Sequence, residues 1–231
     1  MTGSPTLCRM ETLELRQGGM KLRIEDGSAK SWLVMQRDDG EFPVEITVGE
    51  GASLELAFIV LGDVRVCNSL MVNLTGRGAN CRLRGLWLIG GNADVRFDVR
   101  MNHEVGLCTS EQIFKGIEGG SARSDFFGLI KVAPDAQKTD ARQQCHNLLL
   151  TENARANAKP QLEIYADDVV CTHGATVGRM NDDELFYMRS RGISLQEAKR
   201  LQLTVFAAAA LDIVPEDVSA GLEGWIEAIS L

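Results

Sequence analysis

Several things are scarce in this 231-residue chain, and each scarcity argues against a class of function. Basic residues are outnumbered: 24 Lys and Arg stand against 32 Asp and Glu, for a formal net charge of −8 and a pI near 5.0. No basic cluster interrupts that balance, so a nucleic-acid or anionic-membrane surface, which needs a positive face against phosphates, is not expected. Long apolar runs are missing as well. The longest, Leu203 to Leu211, is broken by Thr204 and falls short of the roughly 20 residues that cross a bilayer. Without the basic, apolar and small-residue succession of an export signal after Met1, the expected location is the cytosol. Aromatic residues are 6% of the chain, too few for a convincing sugar-stacking groove. No GxxxxGK[ST] string occurs, and the GGSARSD run at Gly119 lacks its lysine, so any ATP would be hydrolysed by a partner.

The six cysteines, Cys8, Cys67, Cys81, Cys108, Cys145 and Cys171, are spread without CxxC pairs or the dense spacing of a disulfide scaffold. Reduced thiols are the expectation. The length suits one all-β domain with a helical appendage and a substantial core.

What is present is a chain of short strands and tight turns. From Thr6 to Glu45, apolar runs such as MKLRIE and SWLVMQ alternate with turn clusters such as EDGSA and RDDGEFP. These strands are expected to cover the end of a solenoid. From Gly49 to Gly178, small residues recur beside turn signals at Ala52, Ala79, Ala93, Ala122, Ala136, Ala154 and Ala175. Differences such as 79 − 52 = 27 and 122 − 93 = 29 suggest a degenerate double step of about 28 residues, the mark of a parallel β-helix with variable turns. The period alone suits a sandwich almost equally. Strands apolar on both parities, LAFIVL and LRGLWLIGG, favour the β-helix.

Past Gly178 the grammar is helical. Asn181 with Glu184 and Ser194 with Glu197 have capping-box spacing, and Gly192 closes the first segment. Ala198, Leu201, Val205 and Ala208 form one expected apolar face. Pro215 starts a last helix with Val218, Leu222, Trp225 or Ile226, and Ile229 inward. The expected division is a β-helix over residues 1–178 and helices over 179–231.

QLEIYADDVVCTHGATVG followed by DDELFYMRSRGI resembles the C-terminal core of the SufB/SufD family of iron–sulfur cluster assembly proteins, SufD-like members above all. HEVGLCTSEQIFKGI and FFGLIKVAPDAQKTDARQQCHNLLL match the same family in order, so the resemblance covers roughly His103 to Val214. It implies a right-handed parallel β-helix. It implies a non-enzymatic scaffold subunit that pairs with a SufB-like subunit or with itself, and whose C-terminal helices dock a SufC-type ATPase. Family members carry a longer N-terminal region than this chain has room for, which suggests a short form able to serve as its own partner.

A transient iron–sulfur cluster needs thiolates, with an imidazole or carboxylate as supplement. Cys145 in QQCHNLLL stands where the SufB pattern has a cysteine, and His173 matches the histidine of the family motif. Their separation, 173 − 145 = 28, equals the double step, so neighbouring rungs could carry them on one side. Cys171 precedes His173 by two and shares its strand face, making a C-x-H pair. Each residue has a plainer reading, a buried small hydrophobe for cysteine and a backbone-satisfied core histidine. His146 should point away from Cys145. His103 and Cys108 read as structural, Cys67 and Cys81 as core fillers. Asp167 and Asp168 face opposite ways on a strand and suit a solvated turn better than glycosidase chemistry. Two other functions stay open: a structural paralogue that docks the ATPase and holds no cluster, and a carbohydrate-active β-helix enzyme.

Overall fold

The computed structural model describes residues 10–229, so Cys8 and the start of the Thr6–Glu45 segment lie outside the described residues. Among the described residues, thirteen strands alternate between two sheets. β1 (Glu11–Thr12), β3 (Ala29–Gln36), β5 (Ser53–Gly62), β7 (Asn80–Ile89), β9 (Thr109–Glu118), β11 (Asp140–Leu149) and β13 (Val170–Gly178) form one sheet in that order. β2 (Met20–Ile24), β4 (Gly40–Val48), β6 (Arg65–Leu74), β8 (Asp94–His103), β10 (Arg123–Val132) and β12 (Arg155–Ile164) form the other. Every pairing is parallel and joins a strand to the next but one, so the architecture is a parallel β-solenoid of stacked two-strand rungs. Among the described residues, the strands before Gly49 belong to these same sheets and form the first rungs.

Alternation gives the rungs their interior. In β8, Val95, Phe97, Val99, Met101 and His103 are buried, while the residues between them face out. Five aromatic rings lie inside, those of Phe58, Trp87, Phe97, Phe114 and Phe126: Trp87 stacks on Phe97 at 5.3 Å, and Phe114 meets Phe97 at 5.7 Å and Phe126 at 4.7 Å. A Cβ on Gly85 would overlap the Phe114 ring, so the glycine makes room for it. Turns of the form Gly-x-x-Ala recur: the N–H groups of Ala52, Ala79, Ala93 and Ala122 donate to the carbonyls of Gly49, Gly76, Gly90 and Gly119. The alanines are buried where successive turns stack, which is why small residues recur there. Gly51, Gly78, Gly91 and Gly120 take the positive φ those turns require. The repeat itself drifts, from 32 − 11 = 21 residues at the start through 53 − 29 = 24 to 155 − 123 = 32 and 170 − 140 = 30 at the end.

The helices follow three residues after β13. α1 (Asp182–Ser190) is capped by Asn181, whose side chain accepts from the N–H groups of Asp183 and Glu184, and α2 (Leu195–Ala208) by Ser194, which accepts from Glu197 N–H. α3 (Glu216–Ser219) and α4 (Leu222–Ile229) complete the segment. The buried face of α2 is Ala198, Leu203 and Ala207, not the expected Leu201, Val205 and Ala208. Apolar residues surround this helix, and the face that is buried is the one meeting Leu61, Leu86, Leu88 and Ile117 on the outside of the first sheet. An ionic cluster fixes the loop beyond α2. Asp212 accepts from Arg84 Nε at 2.6 Å and from Arg82 Nη2 at 2.6 Å, and Arg84 also reaches Glu111 at 2.5 Å.

Candidate functional site

The solenoid ends on an unroofed rung. Among the described residues, β12 and β13 each have a strand neighbour on one side only, so their inward residues meet no further layer. Along β13 those residues are Cys171, His173, Ala175 and Val177; along β12 they are Ala156, Ala158, Pro160, Leu162 and Ile164. Val177 is 44% exposed and Ile164 39%, whereas Ile130 and Val132, one rung in, are fully buried. Proline suits β12, since an edge strand can lack a donor.

Register places the candidate ligands. His173 lies over Gln143, Ala175 over Cys145, and Cys171 over Ala141. Cys145 and His173 therefore occupy neighbouring rungs on the inward face, but two residues out of line, because this rung steps by 30 residues where 28 would align them. One strand spacing and two residues along the strand put their Cα atoms roughly 8 Å apart. His173 is exposed at the open end. Cys145 is fully buried beneath Ala175, and burial pushes its thiol up to about 12. Cys171 is half-buried, its thiol raised by burial and by the Asp140 charge against a backbone hydrogen bond from Ala141. Among the described residues no group of three or more His, Cys, Asp or Glu side chains is placed to hold a metal within one chain.

The remaining candidates separate by face. His146 points outward from β11 and pairs with Thr176 Oγ1 at 2.7 Å, away from Cys145. His103 is buried against Ser110 Oγ at 2.9 Å, and desolvation lowers it to about 4. Cys108 is buried in the turn before β9, and Cys81 in the core. Cys67 differs from the expectation of a core filler: it lies on the outward parity of β6 and is half-buried. Asp167 and Asp168 are exposed in the turn between β12 and β13, and Asp168 pairs with Lys138.

Sequence reasoning passed over the polar residues behind the open end. Gln112 and Glu118 on β9, and Gln143 and Asn147 on β11, are all buried and point inward. The signal was available: on the inward parity, β5 carries only apolar residues, while β9 and β11 carry polar ones beside Cys145. The helices, expected from the sequence as a docking segment, present Phe186 (73% exposed), Val205 (74%), Tyr187 and Leu201 to solvent, an apolar surface that includes two residues of the expected inward face.

Comparison with known proteins bears on this arrangement. Residues 11–206 match the family described as "SUF system FeS cluster assembly, SufBD core domain". The chain is 38% identical over 164 residues to the iron–sulfur cluster assembly protein SufD of Escherichia coli, covering 71% of this chain and 39% of that protein. It is 33% identical over 186 residues to a SufBD family protein of Synechocystis, covering 78% and 41%. It is 33% identical over 181 residues to SufD of Bacillus subtilis, again covering 78% and 41%. The chain thus spans about 40% of the length of these relatives.

Proposed function

Because the chain belongs to the SufBD core family of the SUF iron–sulfur cluster assembly system, we propose that it is a non-enzymatic scaffold subunit acting in the cytoplasm, on whose open solenoid end a nascent cluster is built. The observation that carries this reading is the unroofed last rung, with the His173 imidazole at the rim and the Cys145 thiol one layer beneath it. Soft sulfur and borderline nitrogen are what such a cluster needs, but one chain brings too few donors together. A second protomer or a SufB-like subunit covering the end supplies the rest. Exposed Val177 and Ile164 beside two unpaired strand edges suit such a lid, and a two-fold arrangement gives two equivalent sites.

The exposed apolar face of α1 and α2 suits docking of a SufC-type ATPase. Only Arg179, Met180 and Asn181 separate β13 from α1, so a pull on α1 is felt at the strand that covers Cys145. Between Cys145 and the open end stands the methyl group of Ala175, the smallest inward side chain of that strand. Displacing β13 exposes the thiol to iron and sulfide.

Anaerobic reconstitution with iron and sulfide tests the site. Charge-transfer absorbance should fall in Cys145→Ser and in His173→Ala, and indifference to both rejects the assignment. Full ATPase binding by a chain that takes up no iron points to the paralogue that docks the ATPase without a cluster.

A further inference from the structure

The buried polar residues behind Cys145 need an explanation, because burying them costs free energy that apolar side chains in the same places would not. In register along the sheet, the place of Asn147 is taken by Gly116 and then Trp87, and the place of Cys145 by Phe114 and then Gly85. Asn147 directs Nδ2 at Cys145 Sγ, 3.7 Å away. Its Oδ1 has no partner among the described residues.

Gly116 shows where that oxygen points. A Cβ there would overlap Trp87 Nε1, Asn147 Oδ1 and Glu118 Oε1 together. The missing side chain is the space in which polar groups from β7, β9 and β11 converge. Glu118 is fully buried, and its Oε1 accepts from Trp87 Nε1 at 2.7 Å and from Ser124 Oγ at 2.7 Å. Its Oε2 is unpartnered among the described residues. Burial pushes the Glu118 carboxyl up to about 7, against the opposing pull of Ser124 and Trp87. Below that value the protonated acid is a donor, and the amide oxygen of Asn147, which converges with it on the space over Gly116, is an acceptor with no partner among the described residues.

We propose that Asn147 is a positioning residue for Cys145: its amide N–H donates to the sulfur, and Glu118, set by Trp87, Ser124 and the space over Gly116, holds the amide in the donating orientation. This rests on Cys145 being a cluster ligand. An N–H donor to an iron-bound thiolate draws electron density from sulfur and stabilises the reduced cluster, so it raises the reduction potential.

The test uses the full chain in two states. In the metal-free protein, the Cys145 S–H stretch is identified by infrared difference against Cys145→Ser and compared with Asn147→Leu, which keeps the amide's branched shape, and Asn147→Ala. Whichever variant keeps the wild-type unfolding transition is read. The expected result is a shift of that band, with Glu118→Gln, which retains a donor, leaving it in place. After anaerobic loading with iron and sulfide, the Asn147 variant should keep its chromophore while its charge-transfer bands move and its midpoint potential becomes more negative. An unshifted S–H band overturns the proposal. So does a wild-type potential in the Asn147 variant when Cys145→Ser has lost the chromophore. A Cys145→Ser protein that loads normally overturns the ligand assignment instead, and the S–H band still decides whether Asn147 donates to the sulfur.

Discussion

Replacing Asp212 with asparagine should loosen the helices from the solenoid while leaving the solenoid folded. Arg84 projects from the outer face of β7 with its side chain 1% exposed, and two of its charged contacts, at 2.6 and 3.0 Å, go to Asp212. Removing one partner of a fully buried ion pair costs about 3–5 kcal/mol. Here Asp212 is 41% exposed and Glu111 stays at 2.5 Å, so solvent and the second carboxylate reduce the loss. We expect about 1.5–3 kcal/mol. At 1.36 kcal/mol per factor of ten, amide exchange in the C-terminal half of α2 and in α4 should accelerate by roughly 10- to 100-fold. Exchange in β7 and β9 should be unaltered. Acid should act in the same direction. Partial burial works to raise the Asp212 carboxyl, but hydrogen bonding and charge from Arg84, with the charge of Arg82, outweigh it and hold the group below its ordinary 3.8. A depressed carboxylate contributes stability that is complete above that value and is lost as pH falls below it. Hydrogen exchange by mass spectrometry reads both effects. Unchanged protection of α2 and α4 in Asp212→Asn, or equal loosening of every strand, would refute the latch.

Three other perturbations follow from the same geometry. Glu118 is raised from 4.5 to about 7, so its contribution to stability is complete below about 4.5 and is lost as pH rises through 7. The difference is about 3 kcal/mol, and a Glu118→Gln protein should lose this slope in urea unfolding between pH 4.5 and 8. Gly76→Ala would drive a Cβ into the backbone of Gly49 and Glu50 in the turn stacked against it. Backbone cannot yield as a side-chain tip can, so a loss of about 3 kcal/mol is expected in thermal or urea unfolding, and near-wild-type stability would mean the stacked turns are looser than described. Val205→Glu, at a residue 74% exposed, should change stability by less than about 0.5 kcal/mol yet abolish co-purification with a SufC-type ATPase. Undiminished co-purification would move the docking surface elsewhere.

The sequence by itself determined the strand-and-turn alternation, the small residues at stacked turns, the end of the strands at Gly178 and the two helix caps. All of these are local: period two, positive-φ glycines, and side-chain acceptors placed two or three residues before the N–H groups they satisfy. The motif residues around Cys145 and His173 were equally legible as a family pattern. Only the tertiary structure decided how those rows align. A repeat that ranges from 32 − 11 = 21 to 155 − 123 = 32 residues cannot be resolved by averaging, and a two-residue offset is enough to set Ala175, not His173, over Cys145. It also decided which side of α2 is buried, since a helix with apolar residues on several sides among its polar ones carries no clear preference until the outer face of the first sheet supplies a partner. Depth within the stack was likewise invisible along the chain. Cys145 and His173 both point inward, but one has a strand above it and the other has none.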